Sequence, residues 1–128
     1  MTFSITGVCD DSGMAGIAIT TSSICVGSRC PWVRAGAGAV STQNITDPTI
    51  GNEVLDLLPN GNSAPDALDI VMDQRPNAAY RQVAVVDLSG RTAHYSGQKV
   101  LGIHAVSEGR HCVGAGNILS DVGVTEAM

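Results

Sequence analysis

Val33-Arg34-Ala35-Gly36-Ala37-Gly38-Ala39-Val40-Ser41-Thr42 runs as one extended segment whose centre, Ala35 to Ala39, carries almost no side chains. A strand so bare is weak by propensity, and such stretches mark close approach of another backbone or of a ligand. Working forward, Thr46-Asp47-Pro48 opens a helix, because Asp47 can cap it and Pro48 fits the first helical position. Ile50, Val54, Leu57 and Leu58 then fall on one apolar stripe, and Pro59-Asn60-Gly61 ends the helix. Ser63 with Asp66 begins a second helix in capping-box fashion. Ala67, Leu68, Val71 and Met72 form its buried face, and Arg75-Pro76 stops it.

Working backward, Phe3 to Cys9 alternates as a strand, Asp10-Asp11-Ser12-Gly13 turns it, and Met14 to Thr21 returns. Ile24-Cys25-Val26 reads as a short strand or its edge, broken by Cys30-Pro31-Trp32. Downstream, Arg81 to Asp87 is a strand with a near-continuous apolar centre, typical of a sheet covered on both sides. Leu88-Ser89-Gly90 turns it, and Arg91 to Tyr95 runs back antiparallel. The stretch holding His104 and His111 reads as a polar, glycine-bearing loop. Cys112 to Leu119 is a last strand, after which Ser120-Asp121 caps the onset of a further helix. The class is α+β, in one domain over residues 1–128. With 44% hydrophobic residues but aromatics only at Phe3, Trp32, Tyr80 and Tyr95, the core is built from small aliphatics and the fold is flat and layered.

The net charge is −5 and the seven basic residues are scattered, so the basic stripe that nucleic-acid binding requires is missing. No apolar run reaches the roughly 20 residues of a membrane span. Met1-Thr2-Phe3-Ser4 has neither the basic nor the apolar segment of a signal peptide, which makes the cytoplasm the expected compartment. There, reduced thiols are expected of the four cysteines, with Cys9 and Cys25 as small core residues. A zinc site from Cys25, Cys30, His111 and Cys112 can be drawn, but its spacing lacks the paired-thiolate loops of structural zinc, and neither metal nor cofactor is expected. His104 and His111 have no Ser or Cys at triad spacing.

Several stretches are similar to a bacterial family known as domain of unknown function 1028. They are Thr2-Phe3-Ser4-Ile5, Cys30 to Gln43, Leu55-Asp56-Leu57-Leu58, Arg81 to Asp87 and Gly116-Asn117-Ile118-Leu119, in order along nearly the whole chain. The family is placed among the N-terminal-nucleophile (Ntn) hydrolase-like proteins. The resemblance implies a four-layer αββα sandwich of which this chain is the N-terminal part, since family members run on well beyond this length. It also implies an amidohydrolase whose Thr2, freed of Met1, attacks an amide bond while its own α-amine serves as base. In the same resemblance the Arg34 to Gln43 segment is similar to the proteasome-subunit stretch that supplies a backbone N–H to the oxyanion. This makes Gly36, then Gly38, the oxyanion-hole candidates.

That mechanism requires Thr2 to lie beside the glycine ribbon; separated from it, the resemblance leaves only a scaffold. The basic residue that proteasome-like enzymes carry upstream falls at Ser22 or Ser23 here, with Arg29 or Arg34 as substitutes. Ser23 is thus a candidate catalytic residue, and Ser22, Arg29, Arg34 and Asn117 are candidates for binding substrate. Each has a plainer role available: strand-starting threonine, packing glycines, loop serines, an arginine capping a sheet edge. The alternative function is a catalytically inactive binding or assembly subunit. In either case a homo-oligomer or second chain is expected to cover apolar residues such as Val122, Val124 and Met128, because the strands suffice for about one and a half sheets of such a fold.

Overall fold

The computed structural model describes residues 1–128 and contains two four-stranded antiparallel sheets packed face to face. One sheet comprises β1 (Thr2–Val8), β2 (Ala15–Thr21), β7 (Ile103–Gly109) and β8 (Cys112–Leu119), in the order β2-β1-β8-β7. The other comprises β3 (Pro31–Arg34), β4 (Gly38–Asn44), β5 (Arg81–Asp87) and β6 (Thr92–Ser96), in sequence order. Helices α1 (Pro48–Leu57) and α2 (Ala64–Met72) both pack on the outer face of the β3–β6 sheet.

The four-layer αββα sandwich is therefore not what the chain forms. It builds three layers, because both of its α-helices lie on one sheet and the segment after β8 makes only a 3-10 turn at Val122–Val124. The estimate of one and a half sheets was low as well. Two four-stranded sheets form because the bare segment folds as a β3–β4 hairpin through Ala35-Gly36-Ala37, and because residues 103–109 are a strand rather than a loop. Ile24 to Val26 is not a strand; Val26–Ser28 is a 3-10 turn.

The helix termini follow from their sequence. Asp47 caps α1 by accepting from Thr49 N, and Ser63 and Asp66 complete a capping box on α2. The main core lies between the helices and the β3–β6 sheet, and includes Val40, Ile50, Val54, Leu55, Leu68, Val83 and Val85. Between the two sheets the filling is different. Only Ala84, Val113 and Ala115 form an apolar cluster there, and toward the Thr2 end the interface is polar and fully buried: Ser4, Ser41, Gln43, Gln82 and Asn117. Small side chains let the sheets approach, and amide side chains then bridge them. The expectation that Cys9 and Cys25 fill the core fails. Both are exposed, since they sit at turns, and Cys30 is the buried thiol.

Candidate functional site

Residue 2 begins β1, paired with Thr21 on β2 and with Asn117 on β8. Side chains alternate along a strand, so these three project from the same face, toward the other sheet. Thr2 Oγ1 and Thr21 Oγ1 share a hydrogen bond of 2.8 Å. They open into a cleft of about 140 Å³ that is also lined by Met1, Ser22, Ser23, Arg29, Cys30, Gln43, Asn44 and Thr46.

Around Thr2 the cleft is a set of fixed hydrogen-bonding groups. Met1 seats its amine on Ser22 Oγ at 3.3 Å, and its carbonyl accepts from Ser22 N at 3.2 Å. The Arg29 guanidinium donates to Ser23 Oγ at 2.6 Å and to Thr46 Oγ1 at 2.8 Å. Beneath the cleft, Gln82 Oε1 accepts from Gln43 Nε2 at 2.9 Å and from Asn117 Nδ2 at 3.1 Å. Gln82 Nε2 donates to the Gly116 carbonyl at 3.0 Å, and Gln43 Oε1 accepts from Ser4 Oγ at 2.9 Å. These bonds fix which way each amide points, and with Nδ2 committed to Gln82, Asn117 has its Oδ1 left to offer. Burial pushes the Cys30 thiol above its ordinary pKa, against the opposing pull of the Thr46 hydrogen bond and the Arg29 charge, so it is a wall of the cleft rather than a ready nucleophile.

Of the residues singled out from sequence, Thr2, Ser22, Ser23, Arg29 and Asn117 come together here. Gly36, Gly38 and Arg34 do not. Gly36 is in the β3–β4 turn and lines a separate hollow with Gly13, Met14 and Ala15, at the far end of the β1–β2 hairpin. Along β4, the six residue-to-residue steps from Gly38 to Asn44 span about 20 Å, so the ribbon cannot face Thr2. Gly38 instead serves packing: a Cβ there would lie 2.2 Å from the Val86 carbonyl oxygen, and its φ of +149° disfavours any side chain. Arg34 is turned to Asp56, 2.5 Å away. The drawn zinc quartet is likewise dispersed, because Cys30 lies in the Thr2 cleft while Cys112 pairs with Gly7 near the opposite end of β1. His104 and His111 stand outside the cleft. The arrangement that sequence missed is Thr21, whose place opposite Thr2 follows from counting outward from the Asp11-Ser12 turn.

A model described as a family of unknown function, DUF1028, matches residues 2–128. The chain belongs to the DUF1028 family. It is similar to a crystal structure of a Silicibacter pomeroyi protein, itself described by that family model, with 33% identity and a TM-score of 0.94 over 98% of this chain. The DUF1028 chain spans 58% of that protein's chain. None of the curated proteins matches. No helix of this DUF1028 chain is long and apolar enough to cross a membrane.

Proposed function

We propose that the Thr2 cleft is the functional site and that, although the separation of Thr2 from Gly36 and Gly38 removes the mechanism the resemblance implied, it works as an amidohydrolase with a different oxyanion donor. The observation that carries this is the seating of Thr2 at the start of its strand, hydroxyl bonded to Thr21, inside a cleft rich in fixed polar groups. With Met1 removed, Thr2 gains a free α-amine. Ser22 N then loses the carbonyl it serves and points, unpartnered, at the position beside the Thr2 nitrogen. In this reading Thr2 Oγ1 adds to the amide carbon, its α-amine takes the hydroxyl proton, and Ser22 N–H receives the oxyanion. Collapse expels the amine, protonated by the α-ammonium, and water then hydrolyses the ester on Thr2 to return acid and free enzyme. Amide turnover by the Met1-free protein, lost by at least a hundredfold in Thr2→Ala, is the expected result. Equal turnover in both proteins would remove the proposal.

One observation favours the second reading, a binding or assembly subunit that performs no hydrolysis. Met1 fits the cleft as a bonded plug, and while it stays, the nitrogen of Thr2 is an amide and no base. An intact mass that retains Met1 in the folded, isolated protein would favour this reading over the first.

A further inference from the structure

Arg29 is the one arginine of the chain without a carboxylate partner. The ion pairs engage Arg34, Arg75, Arg81, Arg91 and Arg110. The acceptors of Arg29 are all uncharged: Thr46 Oγ1, Ser23 Oγ, the Ile24 carbonyl and Cys30 Sγ. The nearest acid in sequence past the cleft wall, Asp47, is taken by Arg75 at 2.9 Å. Among the thirteen residues that line the cleft there is no Asp or Glu, although the chain carries twelve acids against seven bases. A cation is thus held by uncharged acceptors in a cleft whose lining supplies no counter-charge.

We propose that the ligand of this cleft carries a carboxylate, received by Arg29, together with an amide whose N–H is received by Asn117 Oδ1. This deepens the hydrolase reading by naming its substrate class, amides of compounds that bear a carboxylate, and it rests on that reading only for the turnover arm. The physical reasons are direct. A guanidinium already oriented by neutral acceptors loses little further freedom on binding a carboxylate, and the resulting bond is charge-assisted. The bond from Asn117 Nδ2 to Gln82 fixes the amide's orientation and leaves Oδ1 without a hydrogen bond from the protein, so it can receive a donor from the ligand.

The test uses two nearly isosteric probes, succinamate and the neutral succinamide, with binding measured by calorimetry on Met1-free Thr2→Ala protein. Succinamate is expected to bind about tenfold tighter or more, as one charge-assisted contact implies, with the preference shrinking as salt is raised. Arg29→Gln is expected to abolish the preference. Because Arg29 also ties Ser23 to Thr46, a second variant leaves it in place: Ser23→Asp sets a carboxylate against the guanidinium on an exposed loop and is expected to suppress succinamate binding alone. Equal binding of the two probes, no binding of succinamate, or a preference that survives both variants would overturn the inference. The turnover arm compares succinyl and propionyl p-nitroanilides with the Met1-free wild type. Equal turnover of both overturns the carboxylate preference and leaves the hydrolase standing. A succinamate preference with no turnover of either anilide sinks the hydrolase and leaves the anion site standing.

Discussion

At the scale of single residues, the four cysteines show how local surroundings sort identical side chains. Hydrogen bonds from the Ser12 side chain and from the Ser12 and Asp11 backbone hold the exposed Cys9 thiol below its ordinary pKa, whereas burial pushes Cys30 up. Limiting iodoacetamide at neutral pH should therefore label Cys9 first and Cys30 last, as read by peptide mass mapping. Gln82 is the other decisive residue. Replacing it with leucine removes the buried partner of Gln43 Nε2, Asn117 Nδ2 and the Gly116 carbonyl between the sheets. Three unsatisfied groups predict a loss of about 3 kcal/mol or more, measurable by urea unfolding. The place of Thr2 at the start of a strand was legible in the sequence, because the alternation that marks the strand begins beside it. The misassignment of Gly36 has a physical cause. A bare strand has two ends, and nothing in its composition tells which end faces the start of β1; the register does.

At the scale of elements, both helices could be read from sequence because capping residues and an apolar stripe agree at each of them. Asp47 joins that local signal to the tertiary structure. Burial acts against its charge, but hydrogen bonds from Thr49 and the Arg75 guanidinium prevail and hold its carboxyl below the usual range. A depressed carboxylate stabilises the fold above its unfolded pKa of about 3.9 and loses that contribution as pH falls through its folded value. Asp47→Asn keeps the cap but removes the charge that meets Arg75, and should therefore cost about 1 kcal/mol or less at neutral pH, with the gap to wild type closing below about pH 4. Thermal melts across pH would show a constant gap if the carboxylate charge were irrelevant. By contrast, β7 was invisible as a strand. It is an edge strand, largely solvated, and a register shift between Ile103 and Ala105 breaks its alternation. The β3–β4 hairpin was hidden for a related reason, since alanines and glycines on both sides of its turn give no contrast between inward and outward positions.

At the scale of the molecule, the two faces of the sandwich are unequal. One sheet is roofed by α1 and α2, while the outer face of the other has no helix, and near it Val122 is 61% and Met128 42% exposed. We propose that a second copy of the chain covers this side. Light scattering should then report a species larger than one chain at micromolar concentration, and Val122→Asp should shift it toward the monomer. A folded monomer at every concentration would refute this. Layering itself was legible in the small-aliphatic composition, but the number of layers was not, because it depends on where the helices dock and not on how many residues prefer helix.

Hydrolysis in this cleft requires Thr2 to act as its nucleophile. The most direct test is the mass of the N-terminal peptide after the isolated protein has been treated with an activated succinyl ester and quenched in acid. The prediction is a peptide lacking Met1 and carrying a single succinyl group on the Thr2 oxygen, released by hydroxylamine. A peptide that retains Met1, or one that lacks it and remains unmodified while turnover proceeds, would contradict the account.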